Sequence, residues 1–574
     1  MKDRLPPVPH GPGAGPESGP GGGSPPRAGG RGLAHAYLDL WDRNLSDLAR
    51  QGPAALGPRA AAAARAAAEA RRRAAEGEAP AADPVRPSDP MEGTVEAARL
   101  AMDRILQNVG EAVDAATRAA DGAPPGDDAA PGAPAPPRDP GKRPEPRAFS
   151  DLPASNPGAA PHRVGAPTPL FFHFASAAAS VSQGTALAAL ADDPRFPWTE
   201  SLAERGAALG AALRDQEGPA VGLTVAAAAR AQLSEMVAGV EAWQRHPWRR
   251  TLPEPPVLWR RGATRLLDYG ATTPGGPAGP PVLVVPSLVN RPYVLDLHPD
   301  RSLLRWLAAQ GLRPLLLDWG DPGYEERDFD LSDYVRLRLA PAVEASRMLS
   351  PDGAAPAALG YCMGGALLAA LAVGGRDRVS RLAVIGSPWN FEKLQGAARA
   401  LLTLLRMEDR TVIRARLEAV GSAFGAIPVE ALQLLFAALD PTLAFRKFRA
   451  FGRLPQDGAR AELFAATEDW LNDGVALAQP AARELLFSWF VDNALERGAW
   501  APEGVPARPR AIGAPMLAFC SSSDRIAPPG CAEALPAAVP GARILRPATG
   551  HVGMITGSSA RRTVWEPLAA FLRG

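Results

Sequence analysis

The sequence predicts an α/β fold in which helices wrap a mainly parallel β-sheet. From about residue 255 onward, short apolar runs typical of strands alternate with longer runs at helical spacing. A Gly-x-Cys-x-Gly motif at residues 360–364 joins one such apolar run to a helix-forming one. A long helical stretch at about residues 389–505 then interrupts the alternation. These three observations predict a sheet with helical crossovers and one large helical insertion.

Seven short apolar runs are typical of strands, because Val, Leu and Ile dominate them and loop residues flank them. Helical runs lie between some of them, such as residues 300–310, for which Asp300 is the expected N-cap. The predicted strands cover residues 257–259, 265–269, 282–285, 314–317, 382–385, 516–519 and 543–545.

Three regions along the chain differ in composition. Residues 1–165 are rich in Pro, Ala and Gly and predict a mostly disordered tail, because few large apolar residues are available to bury. Isolated helices are expected there near residues 37–50 and 91–120, either solvated or docked on a partner or an apolar particle. Residues 166–254 predict a helical N-terminal region, and residues 255–574 predict the α/β domain.

Charge and cysteine content exclude several functional classes. The 62 Lys and Arg residues nearly balance the 61 Asp and Glu residues, so the net charge of +1 argues against nucleic-acid binding. Three cysteines exclude a disulfide framework and fit a reducing compartment. The sequence contains neither a secretory h-region nor a run of about 20 apolar residues, so we expect a cytoplasmic protein without a transmembrane segment. Because metal-ligand, phosphate-loop and dinucleotide motifs are absent from the sequence, no bound cofactor or metal is expected.

Cys362 is the candidate nucleophile. A nucleophile elbow turns sharply from strand into helix, and the residues two before and two after it must lack side chains to avoid collision. Gly360 and Gly364 occupy those two positions. The positive end of the following helix dipole favours a thiolate at this point. The alternative is a buried cysteine that acts as a small hydrophobic residue.

A cysteine nucleophile needs a base, and the base needs an orienting acid that precedes it in the chain in this type of fold. Of seven histidines only His551 follows the elbow, just past the predicted strand at 543–545. Asp524 directly follows the predicted strand at 516–519 and is the favoured acid. Asp469 and Asp473 also lie between the nucleophile and His551, and we expect them to be caps or surface charges.

Two backbone amides should receive the negative charge that develops on an acyl oxygen during attack. One belongs to Met363, the residue after the nucleophile. The other should come from the loop that follows residues 282–285, where we select Val289.

Five segments, two of which contain Cys362 and His551, closely resemble one enzyme family. They are residues 286–297 (Pro-Ser-Leu-Val-Asn-Arg-Pro-Tyr-Val-Leu-Asp-Leu), 300–303 (Asp-Arg-Ser-Leu), 317–320 (Leu-Asp-Trp-Gly), 360–365 (Gly-Tyr-Cys-Met-Gly-Gly) and 550–553 (Gly-His-Val-Gly). The family is that of the polyhydroxyalkanoate synthases, and residues 468–473 (Glu-Asp-Trp-Leu-Asn-Asp) are loosely similar to its Trp-Asn-x-Asp segment.

This resemblance implies an α/β hydrolase fold in which residues 389–505 form a helical lid over the active site. It further implies that Cys362 carries the acyl group, that His551 is the general base and that Asp524 is its partner. The implied reaction polymerises 3-hydroxyacyl-coenzyme A. The expected partners are the hydroxyacyl-coenzyme A substrate, the surface of a polyester granule and a second copy of the chain in a homodimer.

Two other functions stay open at this point. An intracellular polyester depolymerase or thioesterase would use the same Cys-His pair and differ only in admitting water to the acyl-enzyme. A non-catalytic granule-associated protein would have the fold without turnover.

Overall fold

The computed structural model describes residues 30–56, 167–276, 279–350, 352–373, 375 and 377–574. The predictions of disordered tracts and of a helix near residues 91–120 lie outside the described residues. In the described part, a central sheet lies between two layers of helices, and a group of helices from the N-terminal region packs against the helical insertion.

The strands of the described residues are, in chain order, β1 (Val257–Arg261), β2 (Thr264–Asp268), β3 (Pro281–Val285), β4 (Asp296–His298), β5 (Arg301–Ser302), β6 (Arg313–Asp318), β7 (Ala357–Tyr361), β8 (Arg381–Ile385), β9 (Met516–Phe519) and β10 (Arg543–Leu545). Eight of them form the central sheet in the order β1-β2-β6-β3-β7-β8-β9-β10. Strand β2 pairs antiparallel with β1 and with β6, and the remaining neighbours pair in parallel. Strands β4 and β5 form a separate antiparallel ribbon. The mainly parallel sheet and all seven predicted strands are confirmed.

The central strands are buried on both faces, as parallel strands covered by crossover helices should be. In β3, Val282 and Val284 belong to the apolar cluster on one face, whereas Leu283 and Val285 belong to the cluster on the other. This alternation follows from the two-residue period of a strand.

The α-helices of the described residues are α1 (Gly30–Gln51), α2 (Leu170–Leu187), α3 (Ala203–Glu217), α4 (Val221–Arg245), α5 (Leu303–Ala309), α6 (Leu331–Tyr334), α7 (Ala340–Arg347), α8 (Met363–Ala372), α9 (Gly396–Met407), α10 (Arg410–Phe424), α11 (Val429–Leu439), α12 (Leu443–Gly452), α13 (Ala459–Asn472), α14 (Gln479–Glu484), α15 (Pro529–Ala537), α16 (Gly553–Thr556) and α17 (Glu566–Arg573). Three π-helical segments of the described residues, each adjoining an α-helix, are Val335–Leu339, Leu485–Val491 and Arg561–Trp565. In the described part of the chain, every helix is too short or too polar to cross a bilayer.

The N-cap predicted for helix α5 is wrong. Ser302 is the N-cap, and its side-chain oxygen accepts a hydrogen bond of 3.1 Å from the Arg305 N–H. The two-residue strand β5 separates Asp300 from the helix, and the Asp300 N–H instead donates to the His298 ring.

Helix α1 is confirmed as a helix, but the prediction that it is isolated in a tail is wrong. The Tyr37 hydroxyl donates to the Gly184 carbonyl at 3.0 Å, and the Trp41 indole donates to the Ser180 carbonyl at 3.1 Å. A Cβ at Gly184 would lie 2.7 Å from the Trp41 ring, so the missing side chain lets α1 and α2 approach closely. The apolar face of α1 is therefore covered by helices of the same chain rather than by a partner.

The predicted helical insertion is confirmed between β8 and β9 and comprises α9 to α14. Its second half joins the N-terminal helices, because Phe445 and Phe448 of α12 lie in one apolar cluster with Trp243 of α4. Its first half is more exposed, and helix α11 contains no buried residue although Leu, Phe and Ala dominate its sequence.

Candidate active site

Cys362 lies at the corner between β7 and α8, as the elbow motif predicts. Its backbone has φ 55° and ψ −131°, a conformation that L-residues rarely adopt and that costs about 1–3 kcal/mol. The Cys362 N–H donates to the Ile385 carbonyl at 2.9 Å, which ties this corner to the end of β8. The thiol-bearing residue is partly buried and sits at the N-terminus of a ten-residue helix.

Glycines surround this corner because the chain has no room for side chains there. A Cβ at Gly360 would overlap the backbone of Gly365, and a Cβ at Gly364 would overlap the carbonyl oxygen of Val285. The two glycines of the motif are therefore required by close backbone approach, as the elbow geometry predicts.

Asp524 and His551 form a buried hydrogen-bonded pair beside the elbow. The distance from His551 Nδ1 to Asp524 Oδ2 is 2.6 Å. The other carboxylate oxygen, Oδ1, accepts from the N–H groups of Ile526 at 2.8 Å and Ala527 at 2.9 Å. Because these amides fix the carboxylate, Nδ1 of the ring carries the hydrogen and Nε2 is the nitrogen that can exchange a proton.

The electrostatics of His551 come from three causes. Burial by itself lowers the pKa of the ring, but the charges of Asp524 and Cys362, and hydrogen bonding to them, raise the pKa well above its ordinary value. Nε2 is buried and makes no well-aligned hydrogen bond with the described residues. The Cys362 sulfur nevertheless lies near enough to raise the pKa of the ring. This nitrogen is therefore available to hold a proton next to the sulfur.

Two residues missed at the sequence level shape the space around the imidazole. Gly386 has φ 57°, and a Cβ there would lie 2.8 Å from the His551 ring. The Tyr361 ring packs against the imidazole with 5.2 Å between ring centroids, and burial raises the pKa of its phenol well above the ordinary value. For Gly386, the available signal in the sequence was a glycine directly after a predicted strand. For Tyr361, the sequence offered only its position next to the nucleophile.

The structure thus brings Cys362, Asp524 and His551 together, and their catalytic roles stay predictions. Met363 is the first residue of α8, so its amide lies at the helix N-terminus beside the nucleophile. The Val289 N–H donates weakly to the Ser287 hydroxyl, at 3.4 Å. The loop after β3 adjoins the elbow because Gly364 abuts its carbonyl groups. The oxyanion assignments of Met363 and Val289 also stay predictions.

The other two thiols, Cys520 and Cys531, are buried, and we refer to them as the two buried cysteines. Burial raises the pKa of each to about 12. The described residues include no group of three or more His, Cys, Asp or Glu side chains that could hold a metal ion.

The prediction that Asp469 and Asp473 are caps or surface charges is wrong for Asp469, whereas Asp473 is the C-cap residue of α13. Asp469 is buried and accepts a hydrogen bond of 3.1 Å from the Trp243 indole. Asp473 pairs with Arg291 in the loop that follows β3, with 3.4 Å between Oδ1 and Nε. Both belong to residues 468–474, which we call the clasp because they contact this loop on one side and other helices on the opposite side.

Two family models match the chain. Residues 280–558 match the model for the alpha/beta hydrolase fold, and residues 252–307 match the model for the N-terminus of poly-beta-hydroxybutyrate polymerase (PhaC).

Curated relatives carry the name poly(3-hydroxyalkanoate) polymerase subunit PhaC. The relative from Haloferax mediterranei is 29% identical over 317 residues, which cover 54% of this chain and 62% of the relative. The relative from Haloarcula marismortui is 26% identical over 322 residues, covering 54% and 66%. The relative from Allochromatium vinosum is 27% identical over 323 residues, covering 54% and 85%.

The matched residues span just under two thirds of the length of the first two relatives. Residues 252–558, which the two family models together cover, contain the central sheet, the elbow and the Asp-His pair described above. Residues 252–558 are therefore similar to the polyhydroxyalkanoate synthases, and the chain has the alpha/beta hydrolase fold.

Proposed function

We propose that this protein is an acyltransferase that polymerises 3-hydroxyacyl-coenzyme A through a thioester on Cys362. The observation that carries the proposal is a cysteine on a nucleophile elbow next to a buried Asp-His pair with a 2.6 Å hydrogen bond. The names of the relatives support the substrate class.

In the first step, His551 Nε2 holds the proton of the Cys362 thiol while the sulfur attacks the acyl carbon of the substrate. A new carbon–sulfur bond forms to the enzyme and the bond to coenzyme A breaks. Because Asp524 and Cys362 raise the pKa of His551, the proton stays on the ring until the departing coenzyme A sulfur accepts it. One thioester replaces another at nearly equal free energy, so the acyl group stays activated.

In the second step, the hydroxyl of another acyl unit attacks the carbonyl carbon of the enzyme thioester. His551 Nε2 removes the hydroxyl proton, an ester bond forms and the carbon–sulfur bond to Cys362 breaks. The sulfur then recovers its proton from His551, which closes the cycle. In both steps the amides proposed for Met363 and Val289 stabilise the charge on the acyl oxygen.

We propose that this chemistry uses no bound cofactor or metal, since sulfur, imidazole and backbone amides supply each of the functions required. The substrate itself brings coenzyme A into the site.

We also propose that the protein works inside the cell at the surface of a polyester granule. Apolar side chains on α9 to α11 favour contact with such a surface, because five of them are 38–79% exposed: Leu404, Met407, Val412, Phe424 and Leu435. Co-sedimentation with polyester particles tests this partner, and light scattering of the purified chain tests the expected homodimer.

Incubation of the purified protein with 3-hydroxybutyryl-coenzyme A tests the activity. Chromatography of released coenzyme A together with mass analysis of the acyl product should give polymer and no excess of free 3-hydroxybutyrate. Free hydroxy acid as the sole product would support the depolymerase or thioesterase alternative instead. Cys362→Ala should abolish coenzyme A release, whereas Cys520→Ala should retain it; turnover by Cys362→Ala would support the non-catalytic reading of this site.

A further inference from the structure

One side of the clasp holds the end of the loop that follows β3. The Trp470 indole donates to the Arg291 carbonyl at 2.8 Å, and the Asp473 carboxylate pairs with the Arg291 guanidinium at 3.4 Å. Asn290 and Gly474 form an antiparallel backbone bridge between the same two segments. Three separate contacts therefore fix two adjacent residues of the loop.

The same contacts are reinforced by neighbouring charges. Arg291 also bonds to the Asp321 carboxylate at 2.9 Å, and the Tyr293 hydroxyl hydrogen-bonds to Asp473. Partial burial raises the pKa of Asp473, although the charge of Arg291 opposes this shift. The start of the loop is also held by a hydrogen bond, in which the Trp319 indole donates to the Pro286 carbonyl at 3.1 Å.

The opposite side of the clasp contacts other helices. The Trp243 indole of α4 donates to the buried Asp469 carboxylate at 3.1 Å. The Thr168 N–H, just before α2, donates to the Asn472 side chain at 2.7 Å. The Lys447 ammonium of α12 pairs with the buried Glu468 carboxylate at 2.6 Å. Asp469 and Asn472 of this short segment thus contact the N-terminal helical region, and residues 470, 473 and 474 contact the loop beside the nucleophile.

We infer that the clasp is a positioning device for the oxyanion-binding loop, and that Trp470 and Asp473 are positioning residues through which the N-terminal helices set the geometry of the active site. This inference rests on the proposed function, because it assumes that an amide of residues 287–290 stabilises the acyl oxygen. Loss of one oxyanion donor slows catalysis about 10²- to 10³-fold, and a displacement of about 1 Å has an effect of similar size. A segment that fixes Asn290 and Arg291 therefore controls the reaction without touching the substrate.

The test uses Trp470→Phe, which removes the indole N–H together with part of the ring, and Asp473→Asn, which removes the charge and replaces one carboxylate oxygen with an NH2 group. The matched control is Trp306→Phe, because among the described residues the Trp306 indole N–H is buried without a hydrogen-bond partner. Two rates are compared in each purified full-length protein: acylation of Cys362 by 4-nitrophenyl butyrate, followed by intact mass, and alkylation of Cys362 by iodoacetamide. Alkylation needs the sulfur and His551 but no oxyanion donors.

Acylation should fall about 10²-fold in Trp470→Phe and Asp473→Asn, while alkylation stays within about 2-fold of the wild-type rate. The Trp306→Phe protein should match wild type in both rates. A Trp243→Phe protein should show the same selective loss, because it releases Asp469 on the side of the N-terminal helices.

Acylation at the wild-type rate in both Trp470→Phe and Asp473→Asn would overturn the inference, and so would an equal fall of both rates. A wild-type protein that is acylated by the ester but forms no polymer from 3-hydroxybutyryl-coenzyme A would refute the proposed function and leave the inference standing. A wild-type protein that is not acylated at all would refute both.

Discussion

Substitution of Asp524 by Asn tests the role of the acid in the buried pair. The amide side chain introduced by Asp524→Asn would have the same shape as the carboxylate but can offer only one acceptor oxygen. In the native protein, one carboxylate oxygen accepts two backbone N–H groups, at 2.8 and 2.9 Å, and the other faces His551 Nδ1 at 2.6 Å.

The backbone decides which way the new amide points. If the amide nitrogen faced the N–H groups of Ile526 and Ala527, one partly buried and one buried donor would lose their acceptor at a cost of about 1–3 kcal/mol each. The oxygen therefore stays on the backbone side, and the NH2 group faces His551. Nδ1 must then accept a hydrogen bond, the ring hydrogen moves to Nε2, and the base for Cys362 is lost.

A wrong tautomer of this kind lowers the turnover of a related triad about 10⁴-fold, which corresponds to about 5.4 kcal/mol of transition-state stabilisation. Turnover is measured as coenzyme A release, by chromatography, from 3-hydroxybutyryl-coenzyme A. The matched control is Asp328→Asn, because Asp328 is an exposed carboxylate paired only with its neighbour Arg327 in the described structure. The control should turn over at the wild-type rate, and an Asp524→Asn protein within about 10-fold of wild type would refute the tautomer argument.

The two buried cysteines, the elbow glycine Gly364 and His551 each give one further prediction. Iodoacetamide at pH 8 should modify Cys362 alone in the native protein and all three thiols after denaturation. The reason is that a pKa of about 12 leaves only about 10⁻⁴ of each of the two buried cysteines as thiolate at this pH. Peptide mass mapping that found either buried cysteine alkylated as fast as Cys362 would contradict this prediction. Gly364→Ala should lower the free energy of unfolding in urea by about 1–3 kcal/mol, since its Cβ would overlap the Val285 carbonyl, whereas Gly222→Ala, where the Cβ meets open space, should cause no loss. The native protein should have a larger free energy of unfolding than His551→Gln, and this difference should shrink as pH rises above about 6.5. The reason is that the folded state raises the pKa of His551 and therefore binds its proton more tightly than the unfolded chain does. Urea unfolding of both proteins at pH 6 and pH 9 measures the difference in free energy, and a difference that grew with pH would contradict the prediction.

Local signals were sufficient for the sheet and for the nucleophile. A buried parallel strand such as β3 is a continuous run of Val and Leu, because both of its faces are covered, and that pattern is visible in the sequence. The elbow was equally visible, since the close approach of Gly364 to Val285 can be met only by glycine. The order of acid and histidine after the nucleophile then limited the choice of partners to a few residues.

Contacts between distant segments had no such signal. Trp41 and Ser180 are 139 positions apart, so the apolar face of α1 predicts a helix but does not name what covers it. Trp470 and Arg291 are 179 positions apart, and nothing local distinguishes an Asp in the clasp from a surface Asp. The helix cap at Ser302 was missed for a different reason: a two-residue strand is too short to produce a hydrophobic pattern.

The unusual backbone of Cys362 has a consequence for the evolution of the protein. Glycine adopts φ 55° without penalty, so a Cys362→Gly protein should be more stable than the native one while lacking its sulfur. Selection for stability and selection for a reactive sulfur therefore favour different residues at position 362. The packing around this corner must stabilise the fold enough to offset the backbone strain of the cysteine.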